Sequence, residues 1–124
     1  MAEDLWPENI QETSMVTPVS ILKEQGALLG EKTNQLLKGE VISAPFGNGF
    51  VHRFCVVAPT MSYRYDLFQL THGITFYPCS LKQTGESSPR PIANEESFKE
   101  ILKQVFASEQ TLNVVRSILA QARS

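Results

Sequence analysis

The sequence predicts an α+β fold: a four-stranded antiparallel meander flanked by an N-terminal helix and one or two C-terminal helices. Three observations predict it. A block of alternating and contiguous apolar residues runs from Gly39 to Lys82 and is punctuated by two glycine-bearing turns. A hydroxyl–proline pair, Thr17-Pro18, opens a helical pattern before that block, and Asn94-Glu95-Glu96 opens another after it. With 124 residues, 42% of them hydrophobic and 19% charged, the chain has the size and make-up of one globular domain.

Residues 1–16 are polar and acidic without helical or strand period, and are expected to form a disordered tail. Residues 17–124 are then the single α+β domain. The only Trp of the chain lies in Leu5-Trp6-Pro7, a short apolar piece suited to docking on the domain or on a neighbouring subunit. Thr17 is a helix N-cap, and Pro18 takes the first helical position, where its missing N–H costs nothing. The helix is expected to run to about Leu37 and to stop at Lys38-Gly39. Val19, Leu22, Leu29 and Leu36 form its apolar stripe, with Gly26 and Thr33 in the gaps. Two interior glycines, Gly26 and Gly30, cost roughly 2 kcal/mol against alanine. Close approach of the helix backbone to the sheet is the expected reason for them.

In the sheet block, Gly47-Asn48-Gly49 and Thr71-His72-Gly73 both fit three-residue hairpin loops with glycine at the left-handed third position. That rule pairs Phe46 with Phe50, Ile42 with Phe54, Leu70 with Ile74, and Phe68 with Phe76. One face then carries Ile42, Phe46, Phe50, Phe54, Val56, Phe68, Leu70, Ile74 and Phe76. The other carries Val41, Val51, Cys55, Val57, Tyr65, Leu67, Tyr77, Cys79 and Leu81. Pro45 and Pro78 suit edge strands, because neither donates to a ladder. A slip of one residue in either loop exchanges the faces locally. Residues 83–93 read as a loop. Asn94 caps the next helix, whose stripe is Phe98, Ile101, Leu102, Val105, Leu112, Val115, Leu119 and Ala122. Ser108-Glu109 either caps a separate helix or lies inside one long one.

Charge and motifs exclude several function classes. The formal net charge is −2, with seven acids and three bases in residues 1–40 and the remaining bases scattered singly. Such a chain has no general attraction for nucleic acid. No apolar run approaches the ~20 residues that span a bilayer. The acidic start lacks the basic and apolar regions of a signal peptide, so the expected location is cytoplasmic. There is no phosphate loop, dinucleotide fingerprint, nucleophile elbow or H-E-x-x-H. The layout resembles that of many short bacterial proteins, a likeness that carries over no residues and no activity.

The predicted register sets Cys55 and Cys79 on one face, about 9 to 10 Å apart with one strand between them at about 4.8 Å per strand. A disulfide needs Cα atoms within roughly 7 Å, so both are expected to be free, buried thiols. His52 and His72 are the only histidines. The start of strand 2 lies beside the end of strand 3, so the two rings are expected to approach each other. They are the best metal or proton-transfer candidates in the chain, but no acid or thiol completes a three-ligand set. No catalytic, cofactor-binding or metal-binding residue is therefore assigned, and no cofactor is expected.

A sheet apolar on both faces needs two covers. If both helices pack on one face, the other is an interaction surface. The leading expectation is a non-enzymatic, cytosolic protein-interaction module that self-associates, as a homodimer, through Val51, Tyr65, Leu67, Tyr77 and Leu81. An acidic immunity- or antitoxin-type inhibitor is a variant of that reading. The first alternative is a small-molecule binder with a phenylalanine-lined pocket between helices and sheet and His52 or Arg53 at its mouth. The second is a hydrolase or transferase using His52 and His72.

Overall fold

The computed structural model describes residues 2–10 and 15–124. Its elements are α1 (Pro18–Lys32), β1 (Lys38–Phe46), β2 (Gly49–Ala58), β3 (Tyr63–His72), β4 (Cys79–Gln83), β5 (Arg90–Ile92), α2 (Glu95–Ala107) and α3 (Glu109–Ala122). The strands form one antiparallel sheet in the order β1-β2-β3-β4-β5. The α+β class and meander order are those predicted, but the sheet has five strands rather than four. The extra strand, β5, lies in the stretch expected to be a loop, where Pro89 and Pro91 conceal it. An edge strand tolerates such prolines, and this one buries Ile92 in the core.

The Thr17 cap forms a reciprocal box. Thr17 Oγ1 accepts from Ser20 N–H at 3.0 Å, and Ser20 Oγ accepts from Thr17 N–H at 3.1 Å. The helix ends at Lys32, earlier than expected. Asn34 takes a left-handed φ of 52°, Gln35 N–H donates to Gly30 O at 2.8 Å, and Asn34 N–H donates to Glu31 O at 3.5 Å. That is a Schellman closure with Asn in the glycine position. Thr33 then accepts the Leu37 N–H at 3.1 Å, which turns Leu37 into the core. A Cβ on Gly26 would lie 2.5 Å from Gly39 O, so the α1 backbone meets the β1 backbone there.

The hairpin register differs from expectation. β1 and β2 join through the two-residue turn Gly47-Asn48, with Phe46 opposite Gly49. Gly47 takes φ 56° and Asn48 has no positive φ, the sign pattern of a type II′ turn. The resulting shift of one residue exchanges the faces of β1. Val41 stands opposite Phe54 on the inner face, and Ile42 opposite Arg53 on the outer. Between β2 and β3 a bulge changes the register again, because Phe54 pairs with Phe68 but Cys55 with Asp66. The extra residue, Leu67, turns inward beside Phe68, and both are buried. Thr71-His72-Gly73 is not a turn. β3 continues through His72, residues 73–78 loop out, and β4 begins at Cys79 with Leu81 opposite Leu70. Ile74 therefore sits in a loop, 80% exposed, instead of in a strand.

All three helices cover one face of the sheet. Ile21 and Leu22 of α1, Phe98, Leu102 and Val105 of α2, and Ile118 of α3 join Phe54, Val56, Phe68, Leu70 and Leu81 in one core. The rings of Phe54 and Phe68 stack at 5.2 Å and 7°, with Phe106 tilted against both. The outer face is mixed: half-buried Ile42, Val51 and Val57 alternate with exposed Arg53, Arg64, Gln69 and Lys82. The expectation of two apolar faces is thus corrected. Val41, Tyr65, Leu67, Cys79 and Leu81 belong to the helix-covered side, while only Val51, Cys55 and Val57 of the predicted second face point outward.

Ser108 ends α2 with ψ 148° and caps α3, its Oγ accepting from Thr111 N–H at 3.2 Å. This break resets the helical phase. Thr111 and Ile118 are buried in α3, whereas the expected Leu112 and Leu119 are only half-buried. Residues 2–10, including Leu5 and Trp6, are exposed. Residues 1 and 11–14 of the expected tail lie outside the described residues.

Candidate functional site

The five residues expected at an interface do not share a surface. Leu67 and Leu81 are 4% and 0% exposed under the helices, and Tyr65 and Tyr77 are half-buried against the same core. Val51 lies on the opposite face, beside Ala44 and Thr71. The Tyr77 hydroxyl is buried with no hydrogen-bond partner among the described residues. Burial first, then Cys79 and Glu95, push its pKa up to about 12.

The cysteines are free and buried, on opposite faces instead of one. Cys55 donates to Asp66 Oδ1 at 2.9 Å on the outer side. Burial, then that bond and the Asp66 charge, raise the Cys55 thiol to about 12, and burial raises Cys79 to about 11. Both stay protonated at neutral pH, which makes them poor nucleophiles.

The two histidines, by contrast, come together. His52 pairs with Leu70, and His72 with Phe50, so the two rings are diagonal neighbours on the inner face. Their centroids are 4.9 Å apart and their Nε2 atoms 2.8 Å apart. Both residues are buried, at 5% and 7% exposure. His72 Nδ1 lies 2.7 Å from Gly73 O, and His52 Nδ1 lies 2.7 Å from Ser43 Oγ. A carbonyl only accepts, so His72 carries its proton on Nδ1. Neutral His72 then accepts at Nε2, His52 donates from its own Nε2, and His52 Nδ1 is left as an acceptor. The Ser43 hydroxyl must therefore donate to it. In the doubly neutral pair, that one carbonyl fixes every proton in a relay from Ser43 through His52 and His72 to Gly73. Burial, and secondarily the His72 charge, lower the His52 pKa from 6.5, which favours this neutral form.

The pair faces an open hollow of about 230 Å³ between the start of α1 and the sheet, lined by Thr17, Pro18, Val19, Phe50 and Phe76 as well as both histidines. Phe50 and Phe76 flank the His72 ring at 5.6 and 5.8 Å. Arg53, the other residue expected at a pocket mouth, lies on the outer face. No family model, curated protein or solved structure matches the chain. Its chemistry is therefore read from these residues alone.

Two other hollows among the described residues are larger. One of about 340 Å³ lies between β3 and α3, lined by Met61, Tyr63, Tyr65 and Ile118 among others, without a histidine, acid or cysteine. Another of about 520 Å³, between α1 and α2, is bordered by Glu24, Glu95, Lys99 and Lys103, where Glu95 and Lys99 pair at 3.2 Å. Size favours these, but neither sets a buried, hydrogen-bonded titratable pair at an apolar wall, because the Glu95–Lys99 pair is exposed. We therefore rank the smaller hollow first. Among the described residues no group of three or more His, Cys, Asp or Glu is placed to hold a metal ion, and no helix is long and apolar enough to cross a membrane.

Ser43 went unnoticed in the sequence for a definite reason. A three-residue turn sets it opposite Arg53, whereas the observed two-residue turn sets it opposite His52. A Gly-Asn-Gly segment permits both turns, so the missing signal was turn length.

Proposed function

We propose that the protein binds a small molecule carrying a short apolar group, with that group in the hollow between α1 and the sheet. The observation that carries this reading is the convergence of Phe50 and Phe76 on the hydrogen-bonded pair His52–His72. Apolar walls supply affinity at about 25 cal/mol per Å² removed from water. The imidazoles supply the few polar contacts that fix orientation in such sites.

The test is an NMR titration with short neutral amides such as butyramide. Saturable shifts confined to Val19, Phe50, His52, His72 and Phe76 are expected, and Val19→Glu should abolish them. Shifts scattered over the surface, or none, refute the reading.

A second reading, self-association or binding of a protein partner, is favoured by a different surface from the one predicted. Phe46 is 63% and Ile74 80% exposed, at the end of β1 and in the loop that carries Phe76. Exposed apolar residues mark an interaction surface where they form a contiguous patch. Light scattering over a wide concentration range tests it: a dimer that Ile74→Asp converts to monomer supports it, and a monomer throughout excludes self-association.

A further inference from the structure

We infer that Ser43 is a nucleophile, that His52 is its general base, and that the site transfers short acyl groups from carboxylic esters to the serine hydroxyl. The inference rests on the hollow being the binding site and adds the chemistry performed there. Three observations carry it. Ser43 is exposed on edge strand β1, so an incoming carbonyl has access to its oxygen. Its Oγ–H donates to His52 Nδ1 at 2.7 Å, within the reach required of a general base. The opposite edge of His52 donates to His72 Nε2 at 2.8 Å, and His72 is itself anchored on Gly73 O. A nucleophile, a base and a third group that orients the base is the arrangement by which a hydroxyl becomes reactive.

The steps balance without a cofactor. Ser43 Oγ forms a bond to the ester carbonyl carbon while its proton passes to His52 Nδ1. As the tetrahedral centre collapses, the bond to the alcohol oxygen breaks and His52 returns the proton to that oxygen. The acyl group is left on Ser43, whose partner His52 lines the hollow, so that its chain extends past His52 toward Phe50 and Phe76. Water then attacks the same carbonyl carbon, giving its proton to His52, and the carboxylic acid leaves with Ser43 restored. During attack His52 becomes an imidazolium, which the lone pair of neutral His72 stabilises. His72 is a positioning residue: it sets the tautomer of His52 and does not touch the substrate.

The test is intact-mass spectrometry with peptide mapping of the full chain after incubation with p-nitrophenyl butyrate and, separately, with an alkyl fluorophosphonate. The phosphonate forms a serine–phosphorus bond with loss of fluoride. A single adduct on Ser43 is expected from each, lost in Ser43→Ala and formed at least tenfold more slowly in His52→Gln. Ser43→Cys should restore acylation. No adduct, an adduct on another side chain, or an unchanged rate in His52→Gln overturns the inference. The wild-type mapping decides the matter even if a histidine variant fails to fold.

For His72 the separate readout is the His52 tautomer by long-range ¹⁵N–¹H NMR. The Nε2–H form is expected in the wild type and should be lost in His72→Leu. The same tautomer in both removes His72 from its positioning role. The butyramide titration keeps the two proposals apart. Shifts at Phe50 and Phe76 without a Ser43 adduct leave the binding reading standing and end this one. An adduct without shifts ends the binding reading, and with it the place of the acyl chain in the hollow, while Ser43 remains the nucleophile.

Discussion

Two ring pairs lie side by side on strands β2 and β3, and they are built on opposite principles. Phe54 and Phe68 stack at 5.2 Å under Phe106, in the apolar core. Two residues along β2, His52 meets His72 at almost the same separation, 4.9 Å, on the same face. The first pair is held by area removed from water and by packing. The second pair has to satisfy four ring nitrogens as it is buried, and it does so with Ser43, Gly73 and each other. A pair of leucines would fill the same space without that requirement. The comparison teaches that this end of the core is specified by hydrogen bonding, where the Phe54–Phe68 end is specified by packing.

The most severe way to break the comparison is Phe68→Ala. Truncating a fully buried phenylalanine is expected to cost about 3–5 kcal/mol, read by urea denaturation. Next come the histidines. His52→Leu alone strands the buried His72 Nε2 and is expected to cost about 1–3 kcal/mol. The double replacement His52→Leu/His72→Leu removes both partners and should restore stability to near or above the wild-type value. A double variant as unstable as the single one contradicts the account of the network.

Acid sharpens the same contrast. The folded-state pKa of His52 lies below its unfolded value of 6.5, so below that pH the unfolded chain binds its proton first. Stability contributed by neutral His52 is full above pH 6.5 and is lost as pH falls through the lowered folded value. Thermal melts should show this decline in the wild type and a shallower one in the double leucine variant. The smallest effect is expected at Tyr77, whose hydroxyl is buried without a partner among the described residues. Tyr77→Phe should leave stability unchanged or raise it by up to about 1 kcal/mol, seen as a higher melting temperature.

What the sequence disclosed and what it hid divide along physical lines. Thr17 and Asn94 were legible as caps because each signal is local: a short polar side chain bonds a backbone N–H three residues on. The approach of His52 to His72 followed from strand order alone. Ser43 was hidden because the face of a whole strand hangs on one turn residue, and glycines at both 47 and 49 allow either loop length. Leu67 was misplaced because a bulge leaves no local signature in an alternating pattern. Ile118 was missed because Ser108 resets the phase of the C-terminal helices, and a stripe read as continuous does not register the reset. Asn34 ended α1 before Gly39 because asparagine also tolerates the left-handed region.

The bulge at Leu67 also bears on how the gene can vary. Strands seldom accept a change of length, because one residue more or fewer exchanges the sides of everything beyond it, and length variation gathers in loops. β3 carries its spare residue internally. Cys55 already pairs with Asp66 as though Leu67 were absent. An in-frame loss of codon 67 would remove a core side chain and the carbonyl that accepts Thr84 N–H at 2.9 Å. It would leave Tyr63 and Tyr65 on the helix side, with Arg64 and Asp66 opposite. Loss of codon 69 would draw on the same slack, but would set Leu67 opposite Phe54 and turn Phe68 outward opposite Arg53. Within one ten-residue strand, the chain thus holds a position whose loss leaves every remaining side chain on its own side and another, two codons away, whose loss turns a core phenylalanine outward.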